Sequence, residues 1–382
     1  MLFLALKEVI TIKKILFGIT SLTLGGAERV LVDISNNLSE KYDITIFSIY
    51  DNGELKNDLN KNVKFKALYN CRYDELTKLQ KMWIPIKILL FSKIIYNKKI
   101  KQNYDTEIAF LEGPITRLFS TKNKDVHKIA WIHNDIEKVF GNDLKSKIKK
   151  YIDRKIYKKY NDLVFVSQDN MEKFQNIYND LNTENMHVIY NYIDKDLVIK
   201  KSNYNIKVEF DYNSINFLTV CRLVKQKAID RFIRVHSKLI KRGLKHKVYI
   251  IGDGPEKENL QKLIKQENVE DTFVLLGKKE NPYPYIKNAN YFCLLSEFEG
   301  YGMVLEEAKI LNKPIIITNT AARECIENYP KALILENSED EIYDGLYKLL
   351  NDNDDKIFNN TQTSTEYDNT EKLQKIIELV GD

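Results

Sequence analysis

The chain has 382 residues, 43% hydrophobic and 30% charged, which is apolar material for two ordinary cores and too much length for one. Its net charge of +5 excludes a dedicated nucleic-acid binder, and no apolar run reaches the roughly 20 residues needed to cross a bilayer. The charge is uneven, however: residues 1–200 carry 33 Lys and Arg against 25 Asp and Glu, a balance of +8, and the remainder carries 26 against 29, a balance of −3, so an anionic surface or partner is expected for the first half. Cys71, Cys221, Cys293 and Cys325 are far apart and mostly lie in or beside apolar runs, the pattern of buried thiols and not of a disulfide framework, and no metal-ligand spacing is present. The opening MLFLALKEVITIKKILF is interrupted by Glu8 and is followed by no small-residue cleavage site, so we expect a cytosolic chain.

Residues 14–20, KILFGIT, read as a buried strand, and SLTLGGAERVLVDISNNLSE bends at Gly25 and Gly26 into a helix starting at about Ala27. Taken alone this is a tight β-to-α turn; it is also open enough to face a diphosphate or a sugar. Strands at 43–49, 63–68, 106–111, 127–132, 162–167 and 187–193 alternate with helical or polar stretches, as in a parallel sheet with helices on both faces. WIHND sets His133 just past one of these strands, a place where a lone histidine is ordinarily structural or merely exposed. Residues 75–101 form a basic amphipathic stretch broken at Pro85, and residues 145–159 add a second basic helix. Residues 56–101 alone hold twelve Lys and Arg against three acids. Helices covering a sheet with a solvated lysine face account for both stretches, and a surface lying on anionic lipid is compatible with that. Polar residues 196–213 read as the linker between domains.

The second half repeats the alternation. INFLTVCRLVKQKAIDRFIRVHSKLI is strand, loop and helix, with Arg222 and Lys227 in the loop at the strand's carboxyl end, and KVYIIGDGPEKENLQKLI follows with Gly252 in its turn. Tyr291–Thr318, YFCLLSEFEGYGMVLEEAKILNKPIIIT, is one βαβ unit. Its turn sets Glu299 beyond the strand's carboxyl end, where open α/β sheets bind ligands, and Glu307 follows on the helix that begins near Met303. Gly300 and Gly302 allow close backbone approach, and the N–H groups around Gly302, Met303 and Val304 suit a phosphate. Singly, each glutamate is an ordinary turn or helix-surface acid near a helix start. An acidic stretch, NDNDDK, and a final helix near 369–380 end the chain.

The pair in its context, E-G-Y-G-M-V-L-E-E-A, resembles the E-x7-E motif of the retaining glycosyltransferases of family four. G-G-A-E-R is similar to the donor-facing loop at the start of many bacterial polysaccharide enzymes of that family, and Gly252–Pro255 is similar to its G-D-G-P turn. Where the family has G-R-x4-K-G this chain reads C-R-L-V-K-Q-K-A, retaining both cations and replacing both glycines with Cys221 and Ala228. The resemblance implies an α/β chain of GT-B fold, two Rossmann-like domains facing across a cleft, with domain bounds 1–200 and 201–368 and a helix at 369–382 crossing back to the first. It implies an enzyme of the hexosyltransferase type that uses a nucleotide-diphosphate sugar, UDP-linked, and needs no metal or other cofactor. The acceptor it implies is a glycan or a lipid-linked sugar in cell-surface polysaccharide synthesis, at the inner face of the membrane. In that frame Arg222 and Lys227 neutralise the leaving diphosphate, Glu299 orients the sugar, Glu307 holds the ribose, and His133 lies against the donor sugar. Gly25, Gly26, Gly252, Gly300, Tyr301, Gly302, Met303 and Val304 line the donor.

Two rival readings remain at this point. A metal-dependent GT-A transferase would use a D-x-D motif, which Asp194-Lys195-Asp196 and Asp352-Asn353-Asp354 both spell, although one begins the linker and the other lies in an acidic tail. A non-catalytic GT-B partner subunit would keep the fold and lack turnover.

Overall fold

The computed structural model describes residues 12–51, 53–73, 75–100, 103–121, 125–134, 136–139, 143–352 and 369–381. The chain divides into two compact units, one running to Tyr192 and resuming at Thr370, the other spanning Ile193–Asn369. In the first, the order is β1 (Lys14–Ile19), α1 (Gly26–Leu38), β2 (Asp43–Tyr50), β3 (Lys64–Tyr69), α2 (Lys78–Lys99), β4 (Thr106–Ala109) and α3 (Pro114–Phe119). It continues with β5 (His127–Ile132), α4 (Ile136–Val139), α5 (Leu144–Tyr157), β6 (Asp162–Phe165), α6 (Gln168–Ile177) and β7 (Met186–Val188). The second unit runs α7 (Lys195–Ser202), β8 (Ile215–Val220), α8 (Ile229–Lys241), β9 (His246–Ile251), α9 (Lys257–Gln266), β10 (Phe273–Gly277) and α10 (Tyr283–Asn288). It closes with β11 (Tyr291–Leu294), α11 (Met303–Ile310), β12 (Ile315–Thr318), β13 (Ala332–Leu335) and α12 (Glu339–Asp352), and α13 (Thr370–Val380) follows in the first unit.

Both sheets are parallel throughout and doubly wound, in the orders β3-β2-β1-β4-β5-β6-β7 and β10-β9-β8-β11-β12-β13. The strand order therefore reverses between β1 and β4 in one unit and between β8 and β11 in the other, and each reversal opens a crevice at the strands' carboxyl ends. Core strands are buried on both faces because helices cover both, which is why they read as unbroken apolar runs. Gly18 of β1 makes room for α3: a Cβ there would lie 2.6 Å from Ile115 and Phe119. Helix α13 is held by buried Ile376 and Val380, by Lys372 Nζ donating to Asn191 O at 3.2 Å and by Thr106 Oγ1 donating to Val380 O at 3.3 Å.

Several elements differ from the expectations. Strands β4, β6 and β7 stop at Ala109, Phe165 and Val188, because the apolar residues that follow, Phe110, Val166 and Ile189, are buried without continuing as strand. The second unit begins near residue 193 and not 201: α7 occupies the expected linker and packs on α10 and α11. Asp194 caps α7 by accepting from Leu197 N at 2.9 Å, which gives the first D-x-D a structural role, while Asp354 of the second lies outside the described residues. Pro85 does not break α2. Ile84 and Ile88, buried on either side of it, keep the turns in line, and the non-helical residue is Phe91.

Two buried polar pairs were not visible in the sequence. Glu107 and Lys128 are register partners on β4 and β5 and pair at 2.7 Å. Tyr96 of α2 donates to the same carboxylate, and Lys128 Nζ donates to Phe119 O of α3 at 2.8 Å, so the pair fastens two helices to the sheet. Burial lowers the Lys128 pKa, with Glu107 opposing the shift. In the second unit, His246 Nδ1 donates to Leu244 O at 2.9 Å, its Nε2 accepts from His236 Nδ1 at 2.8 Å, and His236 Nε2 accepts from Thr272 Oγ1 at 2.8 Å. Burial pushes His236 down to about 2 and His246 to about 4, so both are neutral in the folded state at pH 5 while an unfolded chain binds the protons. Stability contributed by this pair is complete above about pH 6.5 and is lost as pH falls toward 4, by about 1.4 kcal/mol per pH unit for each histidine. Urea unfolding at pH 7 and pH 5 should show that loss for the second unit, and equal stability at the two values would contradict neutral burial.

Candidate active site

In the second unit, the loops after β8 and β11 bring a lysine and a glutamate together at the reversal of strand order. The loop after β8 is fixed from two sides. On one, Cys221 N donates to Ile251 O and Leu223 N to Asp253 O, both at 3.0 Å, while Glu256 N donates back to Leu223 O at 3.0 Å. This intimacy explains the G-D-G turn: a Cβ on Gly252 (φ +149°) would lie 1.8 Å from Cys221 O, and one on Gly254 would lie 2.4 Å from Leu223 O. Gly252 thus supports the cationic loop from below.

On the other side, the β8 loop is bonded to the loop after β11. Glu297 N donates to Gln226 O at 2.9 Å, Gln226 Nε2 donates to Phe298 O at 2.8 Å, and Lys227 Nζ meets Glu299 Oε1 at 2.5 Å. Ser296 Oγ also donates to Glu299 Oε1 at 2.5 Å, and Thr318 Oγ1 of β12 fixes Ser296 O at 2.6 Å. Glu299 Oε2 has no hydrogen-bond partner among the described residues and is the oxygen left to meet a ligand. Arg231 of α8 donates to Leu295 O at 2.8 Å and to Asn337 Oδ1 at 2.9 Å, steadying the same loop, and burial lowers its pKa.

Arg222 is exposed and in no ion pair among the described residues, in contrast to Lys227. The two glycine replacements are accommodated differently. Ala228 keeps the left-handed conformation a glycine would adopt, φ 47° and ψ 38°, at a cost of about 1–2 kcal/mol that burial of its methyl partly offsets. Cys221 has no positive φ, and burial raises its thiol to about 12, with Glu299 adding to the shift and Lys227 opposing it, so it is an inert thiol.

Helix α11 begins at Gly302, whose φ of 79° and ψ of 62° are left-handed, and no side chain caps its first turn. The amide groups at Met303 and Val304 are in that first turn, where an anion is welcome. Glu307 is half-buried and accepts from Tyr283 OH at 3.1 Å. Tyr301 has a buried ring, and its hydroxyl donates to Glu306. Glu306, the neighbour of Glu307 in the E-E pair, faces inward at 1% exposure and also pairs with Lys309 at 3.3 Å. Only helix phase separates the two glutamates.

In the first unit, Gly25 and Gly26 are exposed at the start of α1, where Gly25 is extended and supplies no side-chain cap. Arg29 of G-G-A-E-R is structural, paired with Asp33 at 2.6 Å and Asp58 at 2.5 Å. His133 follows β5, with its ring 4.8 Å from that of Phe110 and nearly parallel to Trp131. Burial lowers its pKa to about 3, so the imidazole is neutral, and its Nε2 has no hydrogen-bond partner among the described residues. Glu112, which the sequence reading missed, positions this segment: Oε1 accepts from His133 N at 2.8 Å and Asn134 N at 2.7 Å, and Oε2 accepts from Asn134 Nδ2 at 3.0 Å. Burial raises the Glu112 pKa against those bonds. Its place after β4, at the reversal of strand order, was the available signal.

Comparison with known proteins agrees with the fold. Anabaena Alr3699/HepE in complex with UDP and glucose superposes with a TM-score of 0.72 at 16% identity, covering 96% of this chain and 98% of that one. A glycosyltransferase from Rickettsia africae gives 0.75 at 17% identity, covering 97% and 98%. The architecture is GT-B. Residues 200–365 match the model of the family described as glycosyl transferases group 1. An N-acetylgalactosamine-N,N'-diacetylbacillosaminyl-diphospho-undecaprenol 4-alpha-N-acetylgalactosaminyltransferase of Campylobacter jejuni is 28% identical over 87% of this chain and 89% of its own. A poly(ribitol-phosphate) alpha-N-acetylglucosaminyltransferase of Staphylococcus aureus is 24% identical over 68% of this chain and 51% of its own. Residues 200–365 are thus similar to the group 1 glycosyltransferases, and these two relatives are named as glycosyltransferases.

The glycine contacts generate a paired test. Gly252→Ala drives a methyl into the Cys221 carbonyl and should cost about 3 kcal/mol or more, the upper range of overpacking. Gly243→Ala, at φ +86° with nothing within 4 Å, should cost only the left-handed strain of about 1–2 kcal/mol. Equal losses in chemical denaturation would mean that the 252 turn does not bear on the cationic loop.

Proposed function

We propose that the enzyme transfers a sugar from a UDP-sugar, with retention of configuration and without a metal, to a glycan or lipid-linked acceptor at the inner face of a membrane. One observation carries this reading: Lys227 and Glu299, from loops after the two strands that flank the β8/β11 reversal, meet at 2.5 Å, with exposed Arg222 on the same loop as Lys227 and the uncapped start of α11 following Glu299 in the chain. The cations and helix amides of these two loops suit a diphosphate, and a carboxylate oxygen is left for the sugar. The UDP in the HepE complex and the diphospho-undecaprenol in the name of the Campylobacter relative's activity support the donor and acceptor classes.

The chemistry follows from the charges. As the bond between the sugar C1 and the phosphate oxygen breaks, negative charge grows on the departing diphosphate. Arg222 and Lys227 and the amides of Met303 and Val304 oppose that growth, which lowers the barrier more than it stabilises the bound donor. Glu299 keeps Lys227 aimed, and its Oε2 receives a sugar hydroxyl. Glu307 takes the ribose hydroxyls, a ground-state contact. The neutral His133 serves as a hydrogen-bonding partner of the sugar and not as a cation. The acceptor hydroxyl adds to C1 on the face the diphosphate leaves, and its proton passes to the leaving oxygen.

In an EDTA-containing assay with UDP-sugars, Arg222→Ala should lower kcat by about 10²–10³ with KM little changed, and Glu307→Ala should mainly raise KM. Variants indistinguishable from the parent, or activity that requires added manganese or magnesium, would overturn the proposal.

A further inference from the structure

Helix α2 carries two apolar stripes. Ile84, Ile88 and Tyr96 are buried in the core of the first unit. Leu79, Trp83, Ile86 and Leu90 recur at helical spacing on the opposite side, at about 100° per residue, and all are exposed, as is Ile94 beyond the non-helical Phe91. A helix that only covers a sheet needs the first stripe; the second is a contact surface waiting for an apolar environment. Helix α5 repeats the arrangement. Ile156 and Tyr157 join the core cluster that holds Ile84 and Ile88, and Leu144, Ile148 and Tyr151 are exposed. Both helices flank α3 on one face of the sheet, so their second stripes turn outward from the same layer.

Charge selects the occupant. The α2 segment has no acid and six lysines, Lys78, Lys81, Lys87, Lys93, Lys98 and Lys99, none in an ion pair among the described residues. The one acid of α5, Asp153, is turned inward onto Arg117 at 3.0 Å. Protein interfaces deplete lysine, whereas large apolar residues bordered by lysines, with a tryptophan in mid-stripe, are the composition of helices lying in an anionic headgroup layer. Among the described residues no helix is long and apolar enough to cross a membrane, so a surface orientation is the available one. We infer that α2 and α5 form one interfacial docking face, their outer stripes inserted among acyl chains of an anionic leaflet and their lysines at headgroup level. This deepens the lipid-linked acceptor reading and rests on it for its purpose.

The test uses the full chain without nucleotide sugar. Vesicles of phosphatidylcholine with about one-third phosphatidylglycerol, and of phosphatidylcholine alone, are followed by sedimentation and tryptophan emission. The chain has two tryptophans, and Trp131 is 1% exposed against 58% for Trp83, so a blue shift on binding reports Trp83. Expected are sedimentation with the anionic vesicles accompanied by that shift, and partial release at high salt. Losses of about tenfold or more are expected both for Trp83→Gln/Leu90→Gln/Ile94→Gln and for Lys87→Glu/Lys93→Glu. No binding at low salt, unchanged binding by either variant, or binding without a shift in emission overturns insertion. A dimer in light scattering that the triple glutamine variant dissociates would assign the stripe to a second copy and likewise overturn it. UDP affinity on the same preparations tests the transferase reading without lipid, so either failure can be told from the other.

Discussion

The contact on which the second unit's chemistry depends is the 2.5 Å pair between Lys227 and Glu299. Each residue sits on a loop leaving a different strand, and the strands are those between which the winding of the sheet reverses. Drawing these loops together requires the backbone and side-chain bonds of Gln226 to 297–298 and the absence of a Cβ at Gly252. Both charges are largely shielded from water, so either would be costly without the other. Arg222 has no such partner among the described residues, and it is exposed.

A preformed pair also explains how the enzyme tolerates losing the two glycines of its phosphate loop. The usual glycine at position 228 is needed for its left-handed conformation, and Ala228 holds that conformation because Leu223, Ile229 and the rest of the core fix the start of α8 around it. At position 221 the conformation asks nothing special, and the thiol fills space beside the core. Backbone geometry survives where side-chain identity has changed.

What could be read in the sequence was whatever repeats or stands at the end of an apolar run. Parallel strands covered on both faces announce themselves as runs such as KILFGI and INFLTV, and the residues immediately after them, His133, Arg222 and Glu299, could be placed at a sheet edge. Features depending on which way a side chain points could not be read. Lys128 and Glu107 interrupt apolar strands and form a buried cross-strand pair, and the adjacent Glu306 and Glu307 meet different partners, Tyr301 and Tyr283. Ile84 and Ile88 override Pro85, and the single buried face of Val198 and Ser202 made α7 look like linker. In α2 the abundance of apolar residues was visible, but their division into a covered and an uncovered stripe needed the fold.

In the proposed function, the first unit's basic, apolar outer helices place the acceptor and the second unit's cationic loop places the donor. That division makes donor binding measurable without acceptor. Calorimetric titration of UDP into the parent chain and into Lys227→Met is the most direct test of the donor site. Binding in the parent, weakened about tenfold or more in the variant while unfolding stays cooperative, is the result expected of a charged diphosphate contact. Equal UDP affinity in the two would contradict the assignment of the Lys227–Glu299 crevice as the donor site.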